Sequence, residues 1–269
     1  MHKAMIAVTV SALASSAVAA PPALEWQATG KWTVEFADQQ CLASRAFASG
    51  GEEIAIALRP RPATPRTTLY LRVPAATAAG WKKSKIEIGA EPIEASQFGF
   101  VMSAAGANRI LSTNLTEAEL TKLSGGASLS FDNGKRSARV TMLGLSGVRK
   151  ILGDCVTDLL EKWGVSREQQ ANLQSFPETE KPVLDYVGFN DYPSDAVKRE
   201  AGGEAEIRVL VGTDGVAREC RLVSSSGDAQ LDATTCAIFV RRARYRPARN
   251  KAGQAVEAPY VVSLRWVIP

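Results

Sequence analysis

One stretch limits the folds open to this chain: residues 203–227 read GEAEIRVLVGTDGVARECRLVSSSG. Ala205, Ile207, Val209 and Val211 alternate with more polar neighbours, the period-two pattern of a half-buried strand. Asp214-Gly215 then supplies a residue pair suited to a type I′ hairpin turn, whose two central positions both prefer φ > 0. A second strand over 216–223 follows at once. On either side the pattern turns helical. Ser194 is a candidate N-cap for a helix running to about Ala201, with Gly202-Gly203 as its stop. A longer helix is expected over 229–244, with Ala229, Ala233, Cys236, Val240 and Ala243 on one stripe, until Pro247 ends it. A last strand over 256–268 carries Tyr260, Val262, Leu264, Trp266 and Ile268 in alternation.

The N-terminal half, 24–163, reads as mainly β with a helix at its end. Short alternating segments are expected at 31–37, 40–48, 53–59, 67–73, 85–89 and 98–103, broken by glycines and by the proline-containing run 59–66. Thr116-Glu-Ala-Glu119 predicts a capping-box start for a short helix through Leu123, so Thr116 serves as a cap although Asn114-Leu-Thr116 also matches a glycosylation sequon. Segments 127–131 and 136–142 flank Asp132-Asn-Gly-Lys135, a second hairpin signal. The clearest element begins at Leu145: Val148, Leu152, Cys155, Val156, Leu159, Leu160 and Trp163 recur at helical spacing. Between the halves, 164–185 reads as a short helix capped at Ser166, then a Pro/Glu/Lys-rich linker over 175–183 with no apolar periodicity.

Composition narrows the chemistry. The 269 residues are 45% apolar and 22% charged with a net charge of +4, values of a folded chain with no general case for nucleic acid. The single histidine is His2. It lies in residues 1–20, which read as a signal peptide: Lys3, an apolar run, and Ala17-Val18-Ala19 as the cleavage pattern, leaving a mature chain that begins at Ala20 or Pro21. The rival reading is a retained membrane anchor, for which the apolar run is short. A mature chain without histidine has no imidazole base or ligand, so no catalytic residue, metal site, cofactor or small-molecule substrate is expected. Gly144-Leu-Ser-Gly147 fails the nucleophile-elbow pattern at Val148. Arg59, Arg61 and Arg66 read as a solvated loop, with an anion-facing patch as the alternative. The run Arg241, Arg242, Arg244, Arg246, Arg249 and Lys251 reads as cations at a helix C-terminus and in the loop beyond it, with an anionic envelope partner such as lipopolysaccharide or cell wall as the alternative.

Export also suits the four cysteines, which allow three pairings. Domain layout favours one bridge in each half, Cys41–Cys155 and Cys220–Cys236. Their loops, of more than one hundred and about fifteen residues, contribute about 4–5 and about 3 kcal/mol in the chain-entropy account.

Tyr192-Pro193, Ala196, Asp214-Gly215, Ser225-Ser226-Gly227, Leu231-Asp232, Arg244-Tyr245-Arg246-Pro247-Ala248, Gly253 and the final strand together resemble the TonB C-terminal domain, in that family's order. The resemblance covers 186–269. It implies an α+β fold with two helices on one face of a three-stranded antiparallel sheet. It also implies a place in the Gram-negative periplasm and an envelope-protein partner, such as an outer-membrane transporter whose TonB-box segment adds to the sheet as a strand. The last strand is the expected partner-binding edge, with Tyr260, Val262 and Leu264 at its centre, and an open edge could also pair two copies. The sequence departs from the energy-transducing pattern: it lacks a long apolar anchor with a histidine and a long proline-rich spacer. Binding is therefore the leading expectation, and membrane-anchored energy transduction for transport the alternative. The N-terminal half faintly resembles the exported invasion-associated locus B type of domain, through Trp32-x-Val34, the strand bearing Cys41 and Leu143-Gly-Leu-Ser-Gly-Val148. No function is carried across from that.

Overall fold

The structure is a computed structural model and describes residues 24–75, 84–93, 99–101, 108–132 and 137–268. The expected signal peptide and the tip of the Asp132-Asn-Gly-Lys135 hairpin lie outside these residues. Among the described residues no helix is long and apolar enough to cross a membrane.

The N-terminal unit is one long sheet backed by a helix. Its elements are β1 (Leu24–Ala28), β2 (Thr33–Phe36), β3 (Cys41–Ser49), β4 (Glu52–Pro60), β5 (Arg66–Pro74), β6 (Lys85–Ile88), β7 (Glu91–Pro92), β8 (Gly99–Val101), β9 (Asn108–Thr116), α1 (Glu117–Ser124), β10 (Ser128–Asp132), β11 (Ser137–Thr141) and α2 (Leu145–Lys162). Strand order is β7-β6-β10-β11-β1-β3-β4-β5-β9-β8, with β2 beside β3. Three strands, β1, β7 and β9, had no clear sequence signal. β1 joins the two halves of the sheet, parallel to β11 and antiparallel to β3, and β9 runs the full length of β5. Thr116 caps α1 reciprocally with Glu119, as the capping box predicts. Cys155 on the buried face of α2 bridges to Cys41 at the start of β3, fastening helix to sheet.

The connector differs from its expected character. After α3 (Arg167–Asn172), the segment without apolar periodicity forms β12 (Leu173–Ser175) and β13 (Glu178–Thr179). Two 3-10 turns follow, at Val183–Tyr186 and Phe189–Asp191. The strands are imposed from outside, because an edge of the C-terminal unit offers them hydrogen bonds. β12 pairs with β17 and β13 with β16, both introduced below.

The C-terminal unit contains α4 (Ser194–Lys198), β14 (Gly203–Val211), β15 (Ala217–Ser224), α5 (Ala229–Arg241), β16 (Tyr245–Arg246), β17 (Ala248–Asn250), β18 (Ala255–Val256) and β19 (Ala258–Trp266). It is α+β, as expected: helices against a three-stranded antiparallel sheet ordered β15-β14-β19. Ile207, Val209, Val211, Leu231, Ile238, Phe239, Val262, Leu264 and Trp266 form its core. The Cys220–Cys236 bridge joins β15 to α5.

Three local details correct the sequence reading. The hairpin turn is a three-residue loop: the Gly215 amide donates to the Gly212 carbonyl at 3.0 Å and the Gly212 amide to the Val216 carbonyl at 3.0 Å. Gly215, at φ 74°, alone takes the left-handed conformation, while Asp214 does not. That is a type I turn with a G1 bulge, not type I′. A Cβ on Gly215 would also meet the Tyr245 carbonyl oxygen at 2.2 Å, so tertiary packing fixes the glycine as much as the turn does. Secondly, α5 ends at Arg241 and is capped by Asp228, whose carboxylate accepts from the amides of Gln230 and Leu231 at 2.9 and 3.1 Å. Lastly, α4 begins at Ser194 rather than after it, and stops well before Gly202. Its end is a Schellman arrangement, with the Ala201 amide donating to the Ala196 carbonyl and the Glu200 amide to the Val197 carbonyl, both at 2.9 Å.

That motif places Glu200 at φ 51°, where glycine is ordinarily found. Relieving left-handed strain outweighs the added freedom of the unfolded chain, so Glu200→Gly should stabilise the protein by about 1 kcal/mol. Urea denaturation of the two forms measures the shift; an unchanged or lower midpoint contradicts it.

Candidate partner-binding edge

β14 is central, so the sheet has two edges, β15 and β19, and their chemistry differs. β15 carries Arg218, Glu219 and Arg221, charges of the kind that keep an edge from pairing with another chain. β19 reads Ala-Pro-Tyr-Val-Val-Ser-Leu-Arg-Trp, and Arg265 is its one charge.

The hairpin geometry settles which β19 groups point outward. The Gly212 amide donates to Val216, so Gly212 directs its backbone groups toward β15. Alternation along β14 then turns Val211, Val209, Ile207 and Ala205 toward β19, where they stand opposite Ala258, Tyr260, Val262 and Leu264. The amides and carbonyls of Val261, Ser263 and Arg265 therefore face away from the sheet. Pro259 belongs to the same outward series, which accommodates a residue that has no N–H to give a ladder.

The side chains are arranged differently from the backbone. Val262 and Leu264 are each 3% exposed and lie in the core under α5. Tyr260 is half-buried, its ring edge-on to Tyr245 with centroids 5.4 Å apart. Burial raises the hydroxyl pKa of both tyrosines, so both remain protonated donors at neutral pH. Of the three residues expected at this edge, two are core and one is a half-buried ring. What they leave to a partner is the edge backbone.

The opposite face of the sheet is covered by the N-terminal unit. Val261 packs into the N-terminal core cluster. Glu206 on β14, 4% exposed, meets Arg59 at 2.9 Å and Arg61 at 3.4 Å. Arg61 also donates to the Ser263 hydroxyl at 3.0 Å, and the Arg59 guanidinium stands 5.6 Å from the Tyr70 ring centroid. Arg208 lies 4.9 Å over Trp163, and its burial lowers its pKa. The expectation that Arg59 and Arg61 line a solvated loop is thus corrected: a buried carboxylate 145 positions along from Arg61 holds them. Period-two alternation leaves Glu206 as one of several polar residues on the face away from α5. Nothing local in the sequence marked it as buried.

The basic run is also more structured than expected. Arg242 makes a bidentate pair with Asp191 through Oδ1 and Oδ2 at 2.5 and 2.6 Å, and holds that carboxyl below its usual range. Arg246 pairs with Glu178 at 2.8 Å. Among the described residues no cluster of histidine, cysteine, aspartate or glutamate is arranged to hold a metal.

Two helices against a three-stranded antiparallel sheet, one edge of which carries a single arginine, define a small α+β module. Comparison with known families gives the match: residues 190–268 fit the family described as Gram-negative bacterial TonB protein C-terminal, as their resemblance implied. No curated protein matches the chain.

Removing one member of a buried ion-pair cluster leaves uncompensated charge in a poorly solvated place. Glu206→Ala should accordingly cost about 3–5 kcal/mol. Equilibrium denaturation reads this directly; a loss below about 1 kcal/mol, the value of a surface pair, rules the buried-cluster account out.

Proposed function

We propose that this protein is an exported, non-enzymatic interaction module of the Gram-negative envelope. It takes an extended segment of an envelope protein, such as an outer-membrane transporter, as a strand beside β19. One observation carries the reading: among the described residues β19 pairs on one side only, its outward backbone groups sit on Val261, Ser263 and Arg265, and its side chains are fixed on both faces. A rigid edge loses little conformational freedom when a strand adds, so main-chain hydrogen bonds convert efficiently into affinity. The family match over 190–268 supplies the envelope context. Cleavage after Ala19 or Ala20 fits that context, and an intact mass beginning at Ala20 or Pro21 tests it. A retained N-terminus would favour the anchored alternative instead.

Strand addition predicts an alternating footprint. On binding, the amides of Val261, Ser263 and Arg265 gain hydrogen-exchange protection, while those of Tyr260, Val262 and Leu264 are protected already. Photo-crosslinkers at Glu257 and Val267, the exposed residues bracketing β19, should capture a transporter segment in envelope preparations. Crosslinks joining only two copies of this chain would replace the proposed partner with self-pairing. A footprint confined to β15 would remove the site from β19 altogether.

A further inference from the structure

The backbone edge running through residues 244–251 is already occupied by the chain itself. Residues 172–180 lie antiparallel along it. The Lys251 amide donates to the Asn172 carbonyl at 2.8 Å, Leu173 pairs with Asn250, Ser175 with Arg249, Glu178 with Arg246 and Thr179 with Tyr245, and the Glu180 amide donates to the Arg244 carbonyl at 2.9 Å. The two partners are unequal. The receiving side is built into the C-terminal unit: Tyr245, 2% exposed, donates its hydroxyl to the Phe239 carbonyl at 2.8 Å and its amide to the Gly215 carbonyl at 3.0 Å. The inserted side has no strand character of its own, being rich in proline and glutamate, and takes its conformation from the edge it meets. That is the relation of a bound peptide to its receptor.

The inserted segment is also held unevenly. Leu173 and Phe176 pack against the N-terminal core and Pro177 is buried, which anchors its first half. Beyond Pro177 the attachment is light: a two-residue ladder, the exposed Glu178–Arg246 pair, and Tyr186, whose hydroxyl accepts from the Lys181 amide and donates to the Arg244 carbonyl, both at 3.2 Å. A cleft of about 440 Å³ opens along this second half, lined by Glu178, Lys181, Pro182, Arg246 and Tyr260.

We propose that the backbone edge at Arg244, Tyr245 and Arg246 is a second strand-accepting site, that residues 178–180 are its resident and displaceable occupant, and that it accepts an extended acidic segment of the same pattern. The carboxylate facing Arg246 selects the charge, and the backbone of Arg244 and Arg246, on either side of a Tyr245 whose own amide is given to Gly215, supplies the main-chain bonds. This second site stands whether or not β19 takes a partner.

The full chain and a capped synthetic peptide of residues 175–181, SFPETEK, test it. Glu178→Arg replaces the attraction to Arg246 by repulsion at an exposed pair, leaving the two cores untouched; protected amides at Val209 and Val262 report an intact fold. Exchange at the Glu180 amide should rise about tenfold or more, as for a locally released segment. The peptide should then bind the variant, shifting the resonances of Tyr245, Arg246 and Tyr260, and bind the unaltered chain far more weakly. In a chain carrying both Glu178→Arg and Arg246→Glu the preference should invert, favouring a peptide whose Glu178 is replaced by Arg. Unchanged Glu180 exchange in Glu178→Arg would mean that the segment is a fixed part of the fold. Faster exchange without peptide binding would mean that the edge accepts its own chain only. Either result overturns the proposal.

Discussion

A single carboxylate ties this molecule together. Glu206 sits on the central strand of the C-terminal sheet, on the face turned away from α5, and is buried between Arg59 and Arg61. Its burial is tolerable only because two guanidiniums replace the lost water. The arrangement also fixes register: a one-residue slip of β14 would carry Glu206 under α5 and bring Ile207 to the arginines. With Val261 and the Arg208–Trp163 contact, it closes the second face of a sheet whose first face already lies under a helix.

Once both faces are closed, edges are the remaining means by which the sheet can meet another chain. The two differ in kind. β15 carries charge along its length, whereas β19 presents one arginine and an outward series of backbone groups that ends at Pro259. The connector shows the same physics within one chain. A proline- and glutamate-rich segment becomes strand because an adjacent edge offers unpaired hydrogen-bonding groups.

Much of the C-terminal fold was legible. Alternation marked β14 and β19, the apolar stripe marked α5, and the ordered landmarks resembled a family that the 190–268 match bears out. Both disulfides joined the expected cysteines, since helix stripe and strand face constrain which thiols can meet. The turn and helix-end readings failed on backbone hydrogen bonds that residue types alone do not fix. Asp214-Gly215 suits a type I′ turn locally, yet Gly212 pairs with Val216, so the loop has three residues and forms a bulged turn, and the Tyr245 carbonyl beside Gly215 leaves no room for a side chain there. Glu200 takes a glycine position because the bonds of the Schellman motif hold it there.

The sequence by itself marked most elements of the C-terminal unit, favoured the cysteine pairs that formed, and through its resemblance implied the C-terminal topology. Periodicity, propensity and residue inventory act over a few neighbouring residues or none at all. Only the tertiary structure decided that Arg59 and Arg61 close on a buried carboxylate, that two stretches of the connector are strand, and that Val262 and Leu264 serve the core while Val261, Ser263 and Arg265 turn their backbone outward. Burial of a charge and pairing of an edge are properties of two surfaces meeting, and the second surface lies far away along the chain.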